Sequence, residues 1–294
     1  MYKIGKNSKI IANTIDISDS VIIGDNVFIE CDIVKIGEFS KIGNDVKITC
    51  KSFEAGSWLF MWDRVEVGRG GCYGPNSNLK IGNHVGIFEG TVINPSESVE
   101  IGNDVGIGGE VMIWTHGAWL DVLKGFPADF GSVKIGNDVW LPARSVVLPN
   151  VTIGNDVVIG INSIINRSLP DGCFAAGSPC KVVKENCYPK ELSKDEKENI
   201  VNNILDDWKK LYKYKGGLDC YLIYDKDKEH IELTQYDYSW PNGQKTIFNL
   251  KDRTISGYED NVSEDLRDYL RRCGIKIYTD KHFKSMPIPY METL

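Results

Sequence analysis

Apolar residues recur every six positions through a long part of the chain. The clearest run places one large apolar side chain per repeat at Ile135, Leu141, Val147, Ile153, Ile159 and Ile165. A helix repeats its apolar face every 3.6 residues and an extended strand every two, so neither element alone maintains a period of six. The period predicts short strands, joined by tight turns, that stack into a solenoid around an Ile, Leu and Val core.

Turn-forming residues separate the apolar positions. The sequence Ile-Gly-Asn-Asp, or a close variant of it, begins at Ile23, Ile42, Ile81, Ile101, Ile135 and Ile153. Gly, Asn and Asp tolerate the positive φ that tight corners often need. Three short strands with such corners between them are expected to close one coil of the solenoid.

The six-residue phase is interrupted at three places, which predict loops on this scaffold. The interruptions are residues 53–78, a two-residue insertion around Asn94 and Pro95, and residues 114–132. Chemistry is often carried by loops that a rigid scaffold positions. The third interruption contains Trp114, His116 and Trp119 and is the strongest candidate for a functional loop.

The repeat resembles the hexapeptide-repeat acyltransferase family and is similar to galactoside and polysaccharide O-acetyltransferases. The resemblance covers roughly residues 1–185 and implies a left-handed parallel β-helix of triangular section. The left hand comes from the resemblance, because parallel crossovers are generally right-handed. The resemblance also implies a homotrimer in which each active site lies between two neighbouring subunits.

Acetyl transfer to a sugar hydroxyl needs a base for the hydroxyl proton, and imidazole is suited to that role. His116 occupies the place of the family's catalytic histidine, one coil before the segment 139–142, Val-Trp-Leu-Pro. His84 replaces the usual Asn or Asp of a turn. His230 and His282 lie beyond the repeat. We therefore expect His116 to be the base, against the alternative of a loop histidine without a role.

The last coil resembles the CoA-binding end of the family. Five residues are implied to bind acetyl-CoA: Trp140, Ala143, Ile161, Arg167 and Lys181. In relatives the indole lines the pantetheine tunnel, backbone groups at the two apolar positions bond the pantetheine arm, and the two cations meet the phosphates. Ordinary corner packing for the indole and solvated surface charge for the cations are the alternative interpretations.

The candidate acceptor contacts are Glu89, Trp114 and Trp119. Flat aromatic faces suit sugar rings, although Trp also commonly fills space under long loops. Glu89 lies near the position where relatives contact the acceptor through an amide side chain. The carboxylate there leaves the identity of the acceptor open.

Composition narrows the function classes. The chain is 42% apolar and 26% charged, which is typical of a globular protein. A net charge of -7 without a run of Lys or Arg argues against nucleic acid. No apolar run is long enough for a secretory signal or a membrane span, so we expect a cytoplasmic protein. The eight cysteines include no C-x-x-C pair and are expected to be reduced thiols, with no metal bound.

A second unit is predicted over residues 186–294, because the six-residue period stops after Lys184. A capping box over residues 193–196 begins a helix. Short strands with a turn at residues 240–243, a second capped helix over 261–273 and a last strand at 275–278 complete the prediction. This small α+β unit carries no motif that indicates a function.

Together these features predict an acetyl-CoA-dependent O-acetyltransferase that acts on a sugar hydroxyl of a surface polysaccharide or its precursor. N-acetylation of a nucleotide-linked amino sugar needs the same base and cofactor and remains open. A zinc enzyme like the β-helix carbonic anhydrases would need three histidines, whereas the repeat region holds His84 and His116. A non-enzymatic trimeric scaffold would leave His116 and the CoA-like terminus unexplained.

Overall fold

The structure is a computed structural model that describes residues 2–68, 72–218, 220–237 and 240–287. It divides the chain into two compact units, Met1–Lys190 and Glu191–Leu294. The first unit holds the six-residue repeat.

The first unit consists of very short strands and one 3-10 helix, Val122–Lys124. The strands are β1 Lys3–Ile4, β2 Lys9–Ile11, β3 Thr14–Ile17, β4 Ile22–Ile23, β5 Phe28–Glu30, β6 Ile33–Ile36, β7 Lys41–Ile42, β8 Lys47–Thr49, β9 Ser52–Ala55, β10 Phe60–Met61, β11 Glu66–Val67, β12 Asn78–Ile81, β13 Gly86–Ile87, β14 Val92–Asn94, β15 Val99–Ile101, β16 Gly106–Ile107, β17 Met112–Trp114, β18 His116–Gly117, β19 Asp129–Phe130, β20 Val133–Ile135, β21 Trp140–Leu141, β22 Val146–Val147, β23 Thr152–Ile153, β24 Val158–Ile159, β25 Ile164–Ile165, β26 Phe174–Ala176 and β27 Lys181–Lys184.

Three long sheets form the sides of the solenoid. Sheet A has the order β1-β4-β7-β10-β13-β16-β21-β24-β26-β27, sheet B the order β2-β5-β8-β11-β14-β17-β22-β25, and sheet C the order β23-β20-β15-β12-β9-β6-β3. Neighbouring strands come from successive coils and are parallel, except that β27 returns antiparallel to β26. The parallel β-helix that the six-residue period predicts is therefore confirmed.

The core is the predicted stack of apolar side chains. Ile101 pairs with Ile135 in the next coil, and Ile135 pairs with Ile153 in the one after. All three are almost fully buried, as are Leu141 and Ile165. Each such side chain contributes about 1.5–3 kcal/mol through burial, so the stack is the main source of stability.

Each coil turns at three corners. The ladder corner leads from sheet C to sheet A and includes Asn83, Asn103, Asn137 and Asn155. The open corner leads from sheet A to sheet B and includes Glu89, Gly109, Ala143 and Ile161. The loop corner leads from sheet B to sheet C and carries three insertions: one between β11 and β12, one at residues 95–98 and one at residues 115–132. All three insertions therefore emerge at the same corner of successive coils.

The predicted loop over residues 53–78 is wrong in its first part. Strands β9, β10 and β11 continue the solenoid through residues 52–67, and the described residues of this segment that lie outside it are Gly68 and residues 72–77. Ala55, Met61 and Val67 keep the six-residue spacing and are buried. Trp58 occupies a corner with φ of 62° and stacks on Phe39 of the preceding coil, with ring centroids 5.0 Å apart. Aromatic residues at a corner and Met or Ala in the core concealed the repeat.

The second unit packs two helices with an antiparallel sheet. Its elements are α1 Lys194–Tyr214, β28 Cys220–Asp225, β29 His230–Asp237, β30 Trp240–Asn249, β31 Thr254–Gly257 and α2 Asn261–Arg272. Ser193 begins α1 with the predicted capping box, in which the side chain of Glu196 accepts the Ser193 N–H at 2.8 Å. Neither helix among the described residues is long and apolar enough to cross a membrane.

Two predictions for the second unit are wrong. Residues 240–243 belong to β30, which pairs with β29, and do not form a turn. Residues 275–278 form no strand, although the structure describes all of them. The buried guanidinium of Arg267 donates instead to the carbonyl oxygen of Ile277 at 3.1 Å, so a side chain takes the place of a sheet partner.

Candidate active site

His116 lies at the loop corner in a small hairpin. Strands β18 and β19 pair antiparallel and place His116 opposite Phe130. The two rings are stacked, with centroids 5.9 Å apart and planes 18° apart. Trp114 meets the imidazole edge-on at 5.9 Å. The imidazole is thus held between two aromatic side chains and is partly exposed.

A serine and an asparagine from the preceding coil lie beside the imidazole. Ser96 Oγ is 3.1 Å from His116 Nδ1. The same Oγ is 3.0 Å from Asn94 Oδ1, which also accepts the backbone N–H of Ser96 at 3.2 Å. The Asn94 side chain is completely buried. The hydrogen-bonded chain therefore runs from His116 through Ser96 to Asn94.

The stacking of two coils creates this arrangement. Asn94 at the end of β14 pairs with Trp114 at the end of β17, so the two insertions begin at the same level of the sheet. The buried hydroxyl of Thr115 donates to the Asn94 carbonyl oxygen at 2.7 Å and accepts the Glu97 N–H at 2.9 Å. The loop with Ser96 and the loop with His116 are thus fastened to each other at their bases.

Sequence reasoning missed Ser96 and Asn94. The available signal was the two-residue insertion at Asn94 and Pro95, which marked an interruption of the repeat. Its connection to His116 was not apparent, because the two segments are adjacent only once the coils are stacked. A partial exposure of His116 and its contact with Trp114 agree with a site at this loop.

Trp140 lies on the outer face of sheet A. Its indole covers Gly106 of the preceding coil, where an added Cβ would lie 2.6 Å from Cε3 of the indole. Only glycine leaves room for the ring to lie flat against the sheet at this point. The side chain remains 43% exposed and offers an apolar wall next to the open corner.

Backbone donors are available at the open corner. In the first coils, Asn44 Oδ1 accepts the Asp25 N–H at 2.9 Å and Asp63 Oδ1 accepts the Asn44 N–H at 2.7 Å. The later coils have Glu89, Gly109, Ala143 and Ile161 at this position, and the series of side-chain acceptors ends. In the part of the chain that the structure describes, the N–H groups of Gly109, Ala143 and Ile161 have no hydrogen-bond partner.

The predicted phosphate-binding cations are both exposed. Arg167 follows β25, and Lys181 begins β27 directly after the turn 177–180, which returns the chain to sheet A. Neither side chain makes an ion pair or a hydrogen bond with any residue for which coordinates are described. Both are therefore free to meet an anion from solution.

The predicted acceptor contacts do not lie together. Trp114 touches His116, whereas Glu89 lies at the open corner and forms an ion pair with Arg64. Trp119 is 96% exposed in the loop between β18 and β19. His84 sits at the ladder corner, with Nδ1 3.4 Å from Asp104 Oδ2, as a turn residue would. Within one chain, therefore, Trp114 contacts His116, whereas Glu89 and His84 lie at other corners.

The stacked coils and the repeated corner sequences are similar to those of hexapeptide-repeat proteins. Residues 132–167 match the family described as bacterial transferase hexapeptide (six repeats), which confirms the resemblance for this part of the chain. Within the described residues, no three His, Cys, Asp or Glu side chains are placed to hold a metal ion.

Two curated relatives from Escherichia coli strain K12 match short segments. The galactoside O-acetyltransferase is 45% identical over 53 residues, which is 18% of this chain and 26% of the relative. A protein named as a lipopolysaccharide biosynthesis O-acetyl transferase is 41% identical over 61 residues, 21% of this chain and 31% of the relative. The chain thus spans about a third or less of the length of these relatives.

Among solved structures, the polySia-specific acetyltransferase NeuO is similar. Its TM-score is 0.48 at 17% identity, and the match covers 70% of this chain and 95% of that chain.

Proposed function

We propose that this protein transfers an acetyl group from acetyl-CoA to a hydroxyl of a saccharide, with His116 as the general base. The observation that carries the proposal is the imidazole at the loop corner, which is bound at Nδ1 by Ser96 and wedged between Trp114 and Phe130. The names of the relatives that match the repeat support acetyl transfer and a saccharide acceptor.

The reaction requires one proton transfer and one exchange of bonds. His116 Nε2 removes the proton of the acceptor hydroxyl while that oxygen attacks the thioester carbonyl. The new C–O bond replaces the C–S bond, and the proton leaves on the CoA thiol. General-base catalysis of this kind contributes about 10²–10⁴-fold to the rate.

Acetyl-CoA is proposed to lie along the open corner. The unpaired N–H groups of Gly109, Ala143 and Ile161 support this, because amide carbonyls of a pantetheine arm could occupy the positions that Asn and Asp oxygens occupy in the first coils. The exposed indole of Trp140 would form one wall. Arg167 and Lys181 would meet the phosphates, which an acidic protein must bind through local cations.

We also propose that the protein is a homotrimer. His116 lies at the loop corner and Ala143 at the open corner, so the proposed base and cofactor track occupy different corners of one solenoid. A three-fold arrangement that sets the loop corner of one chain against the open corner of the next would complete the site. Trp119 and Leu123 are 96% and 93% exposed in one chain, which favours a covering subunit.

The acceptor is proposed to be a hydroxyl of a surface polysaccharide or its precursor, acetylated in the cytoplasm where acetyl-CoA is available. Release of the CoA thiol would be measured over a panel of oligosaccharides and nucleotide-linked amino sugars. Acetyl transfer to oxygen on a saccharide supports the proposal. Transfer only to the amino sugars would replace it with N-acetylation, and release that no acceptor stimulates would contradict both.

The role of His116 is tested by His116→Ala on the best acceptor of that panel. We expect kcat to fall about 10²–10⁴-fold while the KM for acetyl-CoA changes little. The matched control is His84→Asn, which removes an imidazole from a turn at the ladder corner and should leave kcat unchanged. Retention of more than about a tenth of the activity by folded His116→Ala would exclude His116 as the base.

The shared site is tested by mixing two impaired variants at an acetyl-CoA concentration well below the KM of Ala143→Asn. His116→Ala damages the loop corner and Ala143→Asn the open corner. If each site uses one corner from each of two chains, trimers reassembled from equal amounts should regain activity at about a quarter of their sites. A mixture no more active than its components, or a monomer in equilibrium sedimentation, would contradict the trimeric site.

A further inference from the structure

We propose that Ser96 and Asn94 are positioning residues that fix His116 as the tautomer with its proton on Nδ1. This inference rests on the proposed function, because it gives Nε2 the free lone pair that a general base needs. Its central test does not depend on activity, so the two can fail separately.

The side-chain carboxamide of Asn94 has a defined orientation. Its Oδ1 accepts the backbone N–H of Ser96 at 3.2 Å, and a backbone N–H can only donate. The oxygen end of the carboxamide therefore faces Ser96. Cys72 Sγ lies 3.4 Å from the same oxygen, and burial raises the pKa of this thiol, which keeps it protonated as a further donor.

The Ser96 hydroxyl has a single hydrogen to donate. Its Oγ has three near neighbours: Asn94 Oδ1 at 3.0 Å, His116 Nδ1 at 3.1 Å and Cys72 Sγ at 3.8 Å, where the thiol can donate to the serine oxygen. The amide oxygen can only accept, so it takes the hydroxyl hydrogen. The serine oxygen must then accept from the imidazole, and His116 carries its proton on Nδ1.

Two carboxylates, of Glu97 and Asp129, lie close in sequence to the residues that contact the His116 imidazole. Glu97 follows Ser96, but its carboxylate accepts from Asn76 Nδ2 at 3.1 Å. Asp129 precedes Phe130 and is exposed. Trp114 and Phe130, which contact the imidazole from either side, are uncharged. Ser96 is therefore the polar side chain, among the described residues, that meets a ring nitrogen of His116.

The tautomer can be measured directly by NMR of protein labelled with ¹⁵N-histidine. The four histidines would be assigned by single substitutions, with His84→Asn as one of them. We expect the His116 shifts of the Nδ1–H form in the wild type, and a mixture of tautomers in Ser96→Ala. Observation of the Nε2–H form in the wild type would overturn the proposal whether or not the enzyme is active.

The pH profile of kcat provides the catalytic test. Ser96→Ala removes the acceptor of the Nδ1 proton, so kcat should fall roughly tenfold and the acidic limb of the profile should move to lower pH. Asn94→Asp places a carboxylate at the end of the chain and should move the limb to higher pH. The KM for acetyl-CoA should stay unchanged in both.

Two further variants separate positioning from support of the loop. Ser96→Thr keeps the hydroxyl, so its kcat and the acidic limb of its pH profile should match those of the wild type. Ser98→Ala is the matched control, because its hydroxyl lies in the same insertion and donates to the Asn76 carbonyl at 3.0 Å, away from the imidazole. If Ser96→Ala lowers only the melting temperature and leaves the limb in place, its role is structural and the inference is wrong.

Discussion

The ladder corner and the open corner both join short strands of the same solenoid, but the series of side-chain acceptors continues to the last coils at the first and stops early at the second. At the ladder corner, Asn103 Oδ1 accepts the Asn83 N–H at 2.8 Å, and the pattern repeats at Asn137 and Asn155 with 2.8 and 2.9 Å. It ends with Asp171, which accepts from Asn155 at 2.8 Å. At the open corner, the equivalent positions from Gly109 onwards supply no side-chain oxygen.

The difference leaves backbone donors unbonded at one corner without a change in the fold of the coil. At a corner whose backbone N–H groups donate to side-chain oxygens of the next coil, those groups cannot also donate to a ligand. A corner whose residues are Gly, Ala and Ile keeps the same donors and exposes them. The positions at which Gly, Ala or Ile replaces the repeated Asn or Asp therefore identify the corner whose backbone N–H groups are unbonded.

The largest expected effect comes from converting the open corner into a ladder corner. In Ala143→Asn the new carboxamide should accept the Gly109 N–H and occupy the proposed path of the pantetheine arm. We expect kcat/KM for acetyl-CoA to fall about 100-fold, with the free energy of unfolding unchanged or slightly higher. Steady-state kinetics and chemical denaturation measure both. Ala143→Ser, which is smaller, should have a much weaker effect, and normal kinetics in Ala143→Asn would contradict the proposed track.

A smaller effect is expected at the cations. Changing Arg167 and Lys181 together to Glu should raise the KM for acetyl-CoA roughly tenfold and leave kcat nearly unchanged, because the phosphates are remote from the thioester. The matched control is Lys3 and Lys41 changed together to Glu, which makes the same change of charge at exposed positions of sheet A in the first coils. A loss confined to kcat would mean that the cofactor lies elsewhere.

Breaking the ladder corner should affect stability alone. In Asn137→Ala the Asn103 N–H loses its acceptor, and that group is solvent-exposed, so we expect a loss of about 0.5–1.5 kcal/mol in the free energy of unfolding. Urea denaturation measures the loss, and kinetics at saturating substrate should be unaltered. A marked change in KM would show that the two corners are not functionally distinct.

The smallest effect is expected at the residue of the open corner whose backbone has a positive φ. Arg144 has φ of 60°, where the ladder corner has Asp138 at 55° and Asp156 at 57°. Because Asn tolerates this conformation better, Arg144→Asn should raise the free energy of unfolding by up to about 1 kcal/mol. Its ion pair with Glu110 is exposed and should offset little of that gain. Destabilisation would indicate that the ion pair matters more than the backbone.

The six-residue period was sufficient to predict the fold, because every inward position is specified locally by size and polarity. It failed for residues 53–67, where Phe53, Ala55 and Met61 replace the usual Ile and Val while the spacing persists. The corner at which an insertion emerges depends on how the coils stack. Ser96 and His116 are 20 residues apart and become neighbours only through the pairing of β14 with β17. The serine–asparagine chain was therefore not predictable from spacing.

The insertions at the loop corner also affect how this scaffold can change. Strands on both sides of each insertion are held in register by the coils before and after them, so the length of the loop is independent of the pairing. Residues 115–132 could be replaced by a loop of another length while β17 and β20 keep their partners. Under the proposed function, exchange of this one exposed segment would change which acceptor is bound, while the strands of the solenoid stay as they are.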